Sequence, residues 1–224
     1  MKKKKRALLL VVLLTLICGA AMALVDGILK PGYAVKSVIK IALFLLCPLV
    51  ASSLCGDVKF SELLRPKKKG FLSALLLGVG IYVLIVGGYF AVAPFFDFSG
   101  IAASLQRDMG VTAENFLFVS LYISFANSFL EEFFFRGFVF TNLKTCGGIG
   151  FAHLFSATVF SLYHVAMMVG WFSPLLFLLV MLGLFAGGLI FNFLNEKTDT
   201  VYCSWLTHMF ANFAINTVGF ILLN

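Results

Sequence analysis

The sequence predicts an all-α bundle of about seven transmembrane helices, N-terminus in the cytoplasm, and three observations carry that prediction. Of its 224 residues 61% are hydrophobic and only 12% are charged, and the mean hydropathy is +1.04. The apolar runs are nearly continuous. Inside hydrocarbon only helices and closed barrels satisfy their own backbone polar groups, and a barrel would need alternating strands. The formal net charge of +7 sits mainly in two blocks, residues 2–6 and 65–69, which flank apolar runs as cytoplasmic membrane flanks do. No recognisable nucleic-acid module accompanies the charge, so no nucleic-acid partner is expected. Cys18, Cys47, Cys55, Cys146 and Cys203 form no CxxC and read as small hydrophobes.

Residues 7–25 are long enough to span. Their basic start and Ala21-Met22-Ala23 resemble a signal peptide, but the apolar core exceeds the usual length of about 7–15 residues, so an uncleaved first span is expected. Residues 26–34, with Pro31-Gly32, read as a turn. The second span, 35–55, begins with Lys36 and Lys40, read as snorkelling to the interface. Residues 56–70 form a polar, basic loop. The third span, 71–96, holds Gly78, Gly80, Gly87 and Gly88, small residues that let helices approach. Residues 97–114 make a mildly acidic connection in which 101–109 reads as a short interfacial helix. Spans four to seven cover 115–140, 151–169, 174–193 and 201–223, with turns at 147–150, 170–174 and 195–199. Gly183 and Gly187 form a GxxxG read as a packing motif. The chain thus divides into 1–114, three spans with their loops, and 115–224, a core of four spans. Seven spans put the two basic blocks on one side and the acidic 97–114 on the other, hence the cytoplasmic amino terminus.

Residues 127–140 place Glu131, Glu132 and Arg136 in a run that otherwise reads as lipid-soluble. Insertion scales set one charged side chain at a helix centre at about +2.5 to +3.5 kcal/mol, so three need partners or a purpose. Glu132 and Arg136 stand four apart on one helical face and can pair. Glu131 is turned roughly 100° away, without that partner and available for chemistry. Span four carries a polar stripe of Ser120, Ser124, Asn127, Ser128 and Glu131. His153, Ser156, Phe160 and His164 keep the same rhythm on span five, and Ser204, His208, Asn212 and Asn216 on span seven. Those faces should meet one another rather than lipid. A single intramembrane His or Asn serves as a helix-to-helix hydrogen bond, and His153 reads as interfacial. A carboxylate with two imidazoles and an amide is instead suited to activating water. Ser161 and His164 are too weak a pattern for a dyad, every Asp lies in a loop, and no HExxH, P-loop or dinucleotide fingerprint is present.

These residues resemble the CAAX protease and bacteriocin-processing family, also called Abi. Its two glutamates, three residues and an arginine match Glu131, Glu132 and Arg136, followed by Gly137. Its Phe, three residues and a His match Phe160 and His164, and its His, three residues and an Asn match His208 and Asn212, preceded by Ser204. The resemblance covers residues 115–223. It implies an intramembrane endopeptidase of a membrane-embedded or membrane-associated peptide, with Glu131 as general base and His164 positioning the water. His208 and Asn212 would stabilise the oxyanion, and Glu132, Arg136 and Phe160 would support the site. Members have been called metalloproteases, and Zn2+ would take Glu131, His164 and His208 with a water. A glutamate mechanism without a cofactor fits the same residues and is the expectation. The family also implies a multi-pass protein of the bacterial plasma membrane. A non-proteolytic scaffold or a bacteriocin self-immunity protein is the other reading, and a transporter with a proton relay a third.

Overall fold

The computed structural model describes residues 2–56, 58 and 63–223, and its regular structure is helical throughout. The helices are α1 (Lys2–Leu29), α2 (Tyr33–Leu54), α3 (Phe71–Phe95), α4 (Ser99–Met109), α5 (Phe116–Cys146), α6 (Ile149–Met168), α7 (Pro174–Thr198) and α8 (Val201–Leu223). Among the described residues seven, all but α4, are long and apolar enough to cross a membrane. The expected short helix is α4, and spans four to seven are α5 to α8. Helix α8 packs along α3 and α7 along α6. The core lies under the phenylalanines of α5, where Phe133, Phe134, Phe135, Phe138 and Phe140 are buried with Phe44 and Phe160.

Three helices run past their expected ends. The turn expected at 26–34 shrinks because Val25–Leu29 continues α1 as a widened π-turn, with buried Asp26 paired to Lys36 at 2.7 Å. Helix α5 continues through Thr141–Cys146. Helix α7 runs on through the turn expected at 195–199, where its polar residues find partners within the helix and on α5 and α6. Thr198 Oγ1 donates to the Leu194 carbonyl at 2.7 Å, Glu196 takes His153 at 3.1 Å and Lys144 at 3.7 Å, and Asp199 stops the helix in the left-handed region at φ 51°. Of the expected basic loop, residues 57 and 59–62 lie outside the described residues. Its later part lies against the α7–α8 turn, where Thr200 Oγ1 donates to the Arg65 carbonyl at 3.0 Å.

The packing glycine of α7 is not one of the GxxxG pair. Nothing approaches a Cβ built at Gly183, whereas one at Gly188 would lie 3.0 Å from the Ala157 Cα. One residue turns the face by about 100°, which moves the contact from Gly187 to Gly188. Of the α3 glycines only Gly78 meets a neighbour, Phe210; Gly80, Gly87 and Gly88 face open space. Gly188→Leu is expected to force α6 and α7 apart and to destabilise by about 1–3 kcal/mol, while Gly183→Leu is silent. Thermal unfolding of the two variants in detergent checks this.

Helix α4 is tied by Asp108, which accepts from Lys30 Nζ at 2.9 Å, from the Arg107 guanidinium at 3.2 Å and from Trp171 Nε1 at 3.3 Å. Arg107 beside it, together with Lys30, holds the Asp108 carboxyl well below the usual carboxylate range. A carboxyl lowered by folding contributes stability above its unfolded value and loses it as pH falls through the folded one. The tie is therefore expected to hold across neutral and mildly acidic pH and to loosen only in strong acid. Proteolysis of the 97–114 segment against pH reads this, and Asp108→Asn should cut faster at neutral and mildly acidic pH, with the difference vanishing in strong acid.

Candidate active site

Glu131 and His164 sit at irregularities in their helices, whereas His208 and Asn212 lie on a regular one. In α5 the five-residue stretch Ser128–Glu132 lies between π-turns at Ile123–Asn127 and Phe133–Phe140. Such wide turns often mark functional sites, because they free carbonyls and re-aim side chains. Helix α8 fills those openings with side chains. Asn216 Nδ2 donates to the Ser120 carbonyl at 3.1 Å, Asn212 Nδ2 to the Ile123 carbonyl at 3.1 Å, and Trp205 Nε1 to the Phe125 carbonyl at 3.0 Å. The polar faces of spans four and seven therefore meet. In α6 the helix breaks at His164, between Ile149–Tyr163 and Val165–Met168.

Glu131 is 2% exposed and Glu132 and Arg136 are fully buried. Glu131 Oε2 faces His164 Nε2 at 3.9 Å and His208 Nε2 at 3.7 Å. The two imidazoles are oriented from behind. His164 Nδ1 lies 2.8 Å from the Phe160 carbonyl, which can only accept, so Nδ1 carries a hydrogen and Nε2 is the atom turned to Glu131. His208 Nδ1 lies 2.9 Å from Glu132 Oε1, with the same consequence. Outer partners of this kind fix the tautomer and aim of a working imidazole. Distances of 3.7–3.9 Å are too long for direct hydrogen bonds and suit one bridging water.

Glu132 is anchored in turn. Arg136 Nη1 pairs with its Oε1 at 3.1 Å, and Arg136 Nη2 donates to the Gly188 carbonyl at 3.3 Å. The guanidinium lies over the Phe160 ring at 4.3 Å and the Phe191 ring at 5.0 Å, and Phe191 stacks on His208 at 4.9 Å. Phe160 thus serves the site as a platform beneath Arg136. Asn212 stands one turn beyond His208, with one amide hydrogen on Ile123 and the other free of that bond. Ser161 points away, donating to the Met181 carbonyl at 2.9 Å. His153 pairs with Glu196, and Ser156 donates to the Phe135 carbonyl at 2.9 Å.

Glu131 does have a partner, and it comes from the other half of the chain. Lys40 Nζ lies 2.5 Å from Glu131 Oε1 and from Asn127 Oδ1, and Asn127 Nδ2 donates to the same Oε1 at 3.0 Å. The expectation that Lys36 and Lys40 snorkel is overturned, since they are 9% and 4% exposed and each pairs with a buried acid. The available signal was charge: a lysine eight residues into an apolar span needs a buried anion as much as Glu131 needs a cation. Among the described residues no three His, Cys, Asp or Glu side chains are spaced to hold a metal ion. With an ammonium already on Glu131, the set Glu131, His164 and His208 does not fit zinc as it stands.

Seven apolar spans around a buried carboxylate and two aimed imidazoles define a multi-pass membrane protein with a polar interior site. Residues 113–214 match the family model described as type II CAAX prenyl endopeptidase Rce1-like. No curated protein and no solved structure matches the chain.

Proposed function

We propose that the protein is an intramembrane endopeptidase that hydrolyses a peptide bond of a membrane-embedded or membrane-associated peptide with water activated by Glu131. The observation that carries the reading is the convergence of His164 Nε2 and His208 Nε2 on Glu131 Oε2 at 3.9 and 3.7 Å. The Rce1-like match of residues 113–214 supports it independently, because that family is one of proteases.

On this reading a water donates one hydrogen to Glu131 Oε2 and the other to His164 Nε2. Glu131 takes the first proton as the water oxygen attacks the peptide carbonyl carbon. The carbonyl oxygen becomes an oxyanion, met by His208, protonated at both ring nitrogens, and by the second N–H of Asn212. One such donor contributes about 2.7–4 kcal/mol in a water-excluded site. Glu131 then passes its proton to the departing amide nitrogen, the C–N bond breaks, and an acid and an amine leave. Residues 115–224 supply this machinery and the helices of 1–114 complete it. The amino terminus lies in the cytoplasm and the protein in a bacterial plasma membrane.

The test is cleavage of a fluorogenic membrane-peptide library in liposomes by wild type and Glu131→Gln, each with and without a strong chelator. Cleavage that disappears in Glu131→Gln and persists under chelation is the expected result. Loss under chelation would point to a metal. No cleavage by well-folded wild type across the library would sink the protease reading.

A further inference from the structure

Lys40 is among the least exposed ionised side chains of the molecule, and the resemblance assigns it nothing. Its ammonium touches Glu131 Oε1 and Asn127 Oδ1 and is otherwise faced by aromatic rings, Tyr163 at 4.9 Å and Phe44 at 5.4 Å. Both rings sit in the core, with Phe44 fully buried and Tyr163 8% exposed. Tyr163 is also the residue before His164, so one side chain packs on the lysine while the next meets its carboxylate. On α2 itself the π-turn Ala42–Leu46 begins two residues after Lys40, and one turn before it Lys36 is held by Asp26 at 2.7 Å. The lysine is thus fixed at its own helix, at α5 and at α6.

The consequence for Glu131 is that its two oxygens have separate tasks. Oε1 is taken by Lys40 and by Asn127 Nδ2, while Oε2 is the atom turned to both imidazoles. Two directed contacts on one oxygen remove the rotation that would otherwise exchange them. The histidines are arranged as zinc ligands often are, each with Nδ1–H held from behind and Nε2 aimed at a shared point. A divalent ion at that point would sit within about 2.0–2.2 Å of the carboxylate, on a group that already carries a cation.

We propose that Lys40 is a positioning residue and the built-in cation of the site: it pins Glu131 Oε1, leaves Oε2 as the working atom, and excludes a metal ion from the Glu131, His164 and His208 set. This rests on the proposed role of Glu131 but is read out without cleavage. The experiment is a Co2+ titration of the purified full chain in detergent, followed by visible absorption. Wild type and Lys40→Arg are expected to show only the weak spectrum of hydrated cobalt. Lys40→Met keeps the length of the stem and removes the charge, and should gain the intense absorption of tetrahedral cobalt, lost again in Lys40→Met/His208→Ala. Tetrahedral cobalt in wild type that vanishes in Glu131→Gln overturns the proposal, and so does a folded Lys40→Met that gains none.

The kinetic arm separates positioning from folding. With a cleaved peptide in hand, Lys40→Met should lower kcat by about 10–100-fold, the effect of losing an outer partner of a working group, with KM little changed, and Lys40→Arg should recover most of the loss. Equal kcat in wild type and Lys40→Met overturns the positioning role. A wild type that cleaves nothing yet gives the expected cobalt pattern would fail the protease reading and leave the Lys40 assignment standing.

Discussion

Arg136→Met is expected to destabilise the protein by about 3–5 kcal/mol, and Glu132→Gln added to it should restore most of that loss. Both side chains are fully buried and 3.1 Å apart. Removing one partner of a buried pair leaves the other charge uncompensated, which is where a loss of that size arises, whereas removing both leaves none. The rings of Phe160 and Phe191 and the Gly188 carbonyl solvate the guanidinium but give nothing back to an orphaned Glu132 carboxylate. The double variant therefore separates two roles. Its stability returns, but its His208 has lost the anion at Nδ1, so cleavage should stay depressed. Thermal unfolding of the four species in detergent gives the coupling directly. Additive losses in the double variant would mean that Glu132 and Arg136 act independently, against the arrangement described here.

Much of this was legible because membrane burial makes polar residues conspicuous. Glu131, Glu132, Arg136, His164, His208 and Asn212 stand out from apolar runs; the stripes of spans four and seven meet, and span five joins them at His164 while its His153 turns to Glu196. The seven spans followed from length and hydropathy alone. The rest was hidden by the assumption of an ideal helix. A π-turn adds one residue to a turn and shifts every face beyond it, and the sequence of 123–127 or 133–140 carries no mark of one. The break at His164 has no proline or glycine beside it. Lys40 was misassigned for a different reason: a lysine near a helix start can reach the interface or pair inward, and only the tertiary position of Glu131 decides between them. The choice of Gly188 over Gly187 needed the orientation of α7 against Ala157. Charge and composition thus identified which residues are unusual, while backbone irregularities settled where they point.

Glu131→Gln is expected to lower cleavage by about 10²–10⁴-fold, the contribution of a positioned general base. The amide oxygen can still accept from Lys40 and Asn127 at the Oε1 position, so the side chain stays in place. At the Oε2 position, however, an N–H2 now faces the imidazoles and can take no proton from water. The substitution also leaves the Lys40 ammonium without its anion, so part of any loss could come from weakened folding. Glu131→Gln/Lys40→Met removes both charges together and provides the control, since it should recover stability and remain inactive. Glu131→Asp adds a second control by keeping the charge and withdrawing the carboxylate by one methylene. A misplacement of about 1 Å can cost about 10²-fold in rate, so this variant should keep its fold, keep Lys40 paired and still cleave slowly. A Glu131→Gln protein that cleaves at the wild-type rate would remove Glu131 from the chemistry. Loss in Glu131→Gln and in its stable double variant, with slow cleavage by Glu131→Asp, would tie the reaction to a carboxylate oxygen held at the point where His164 and His208 converge.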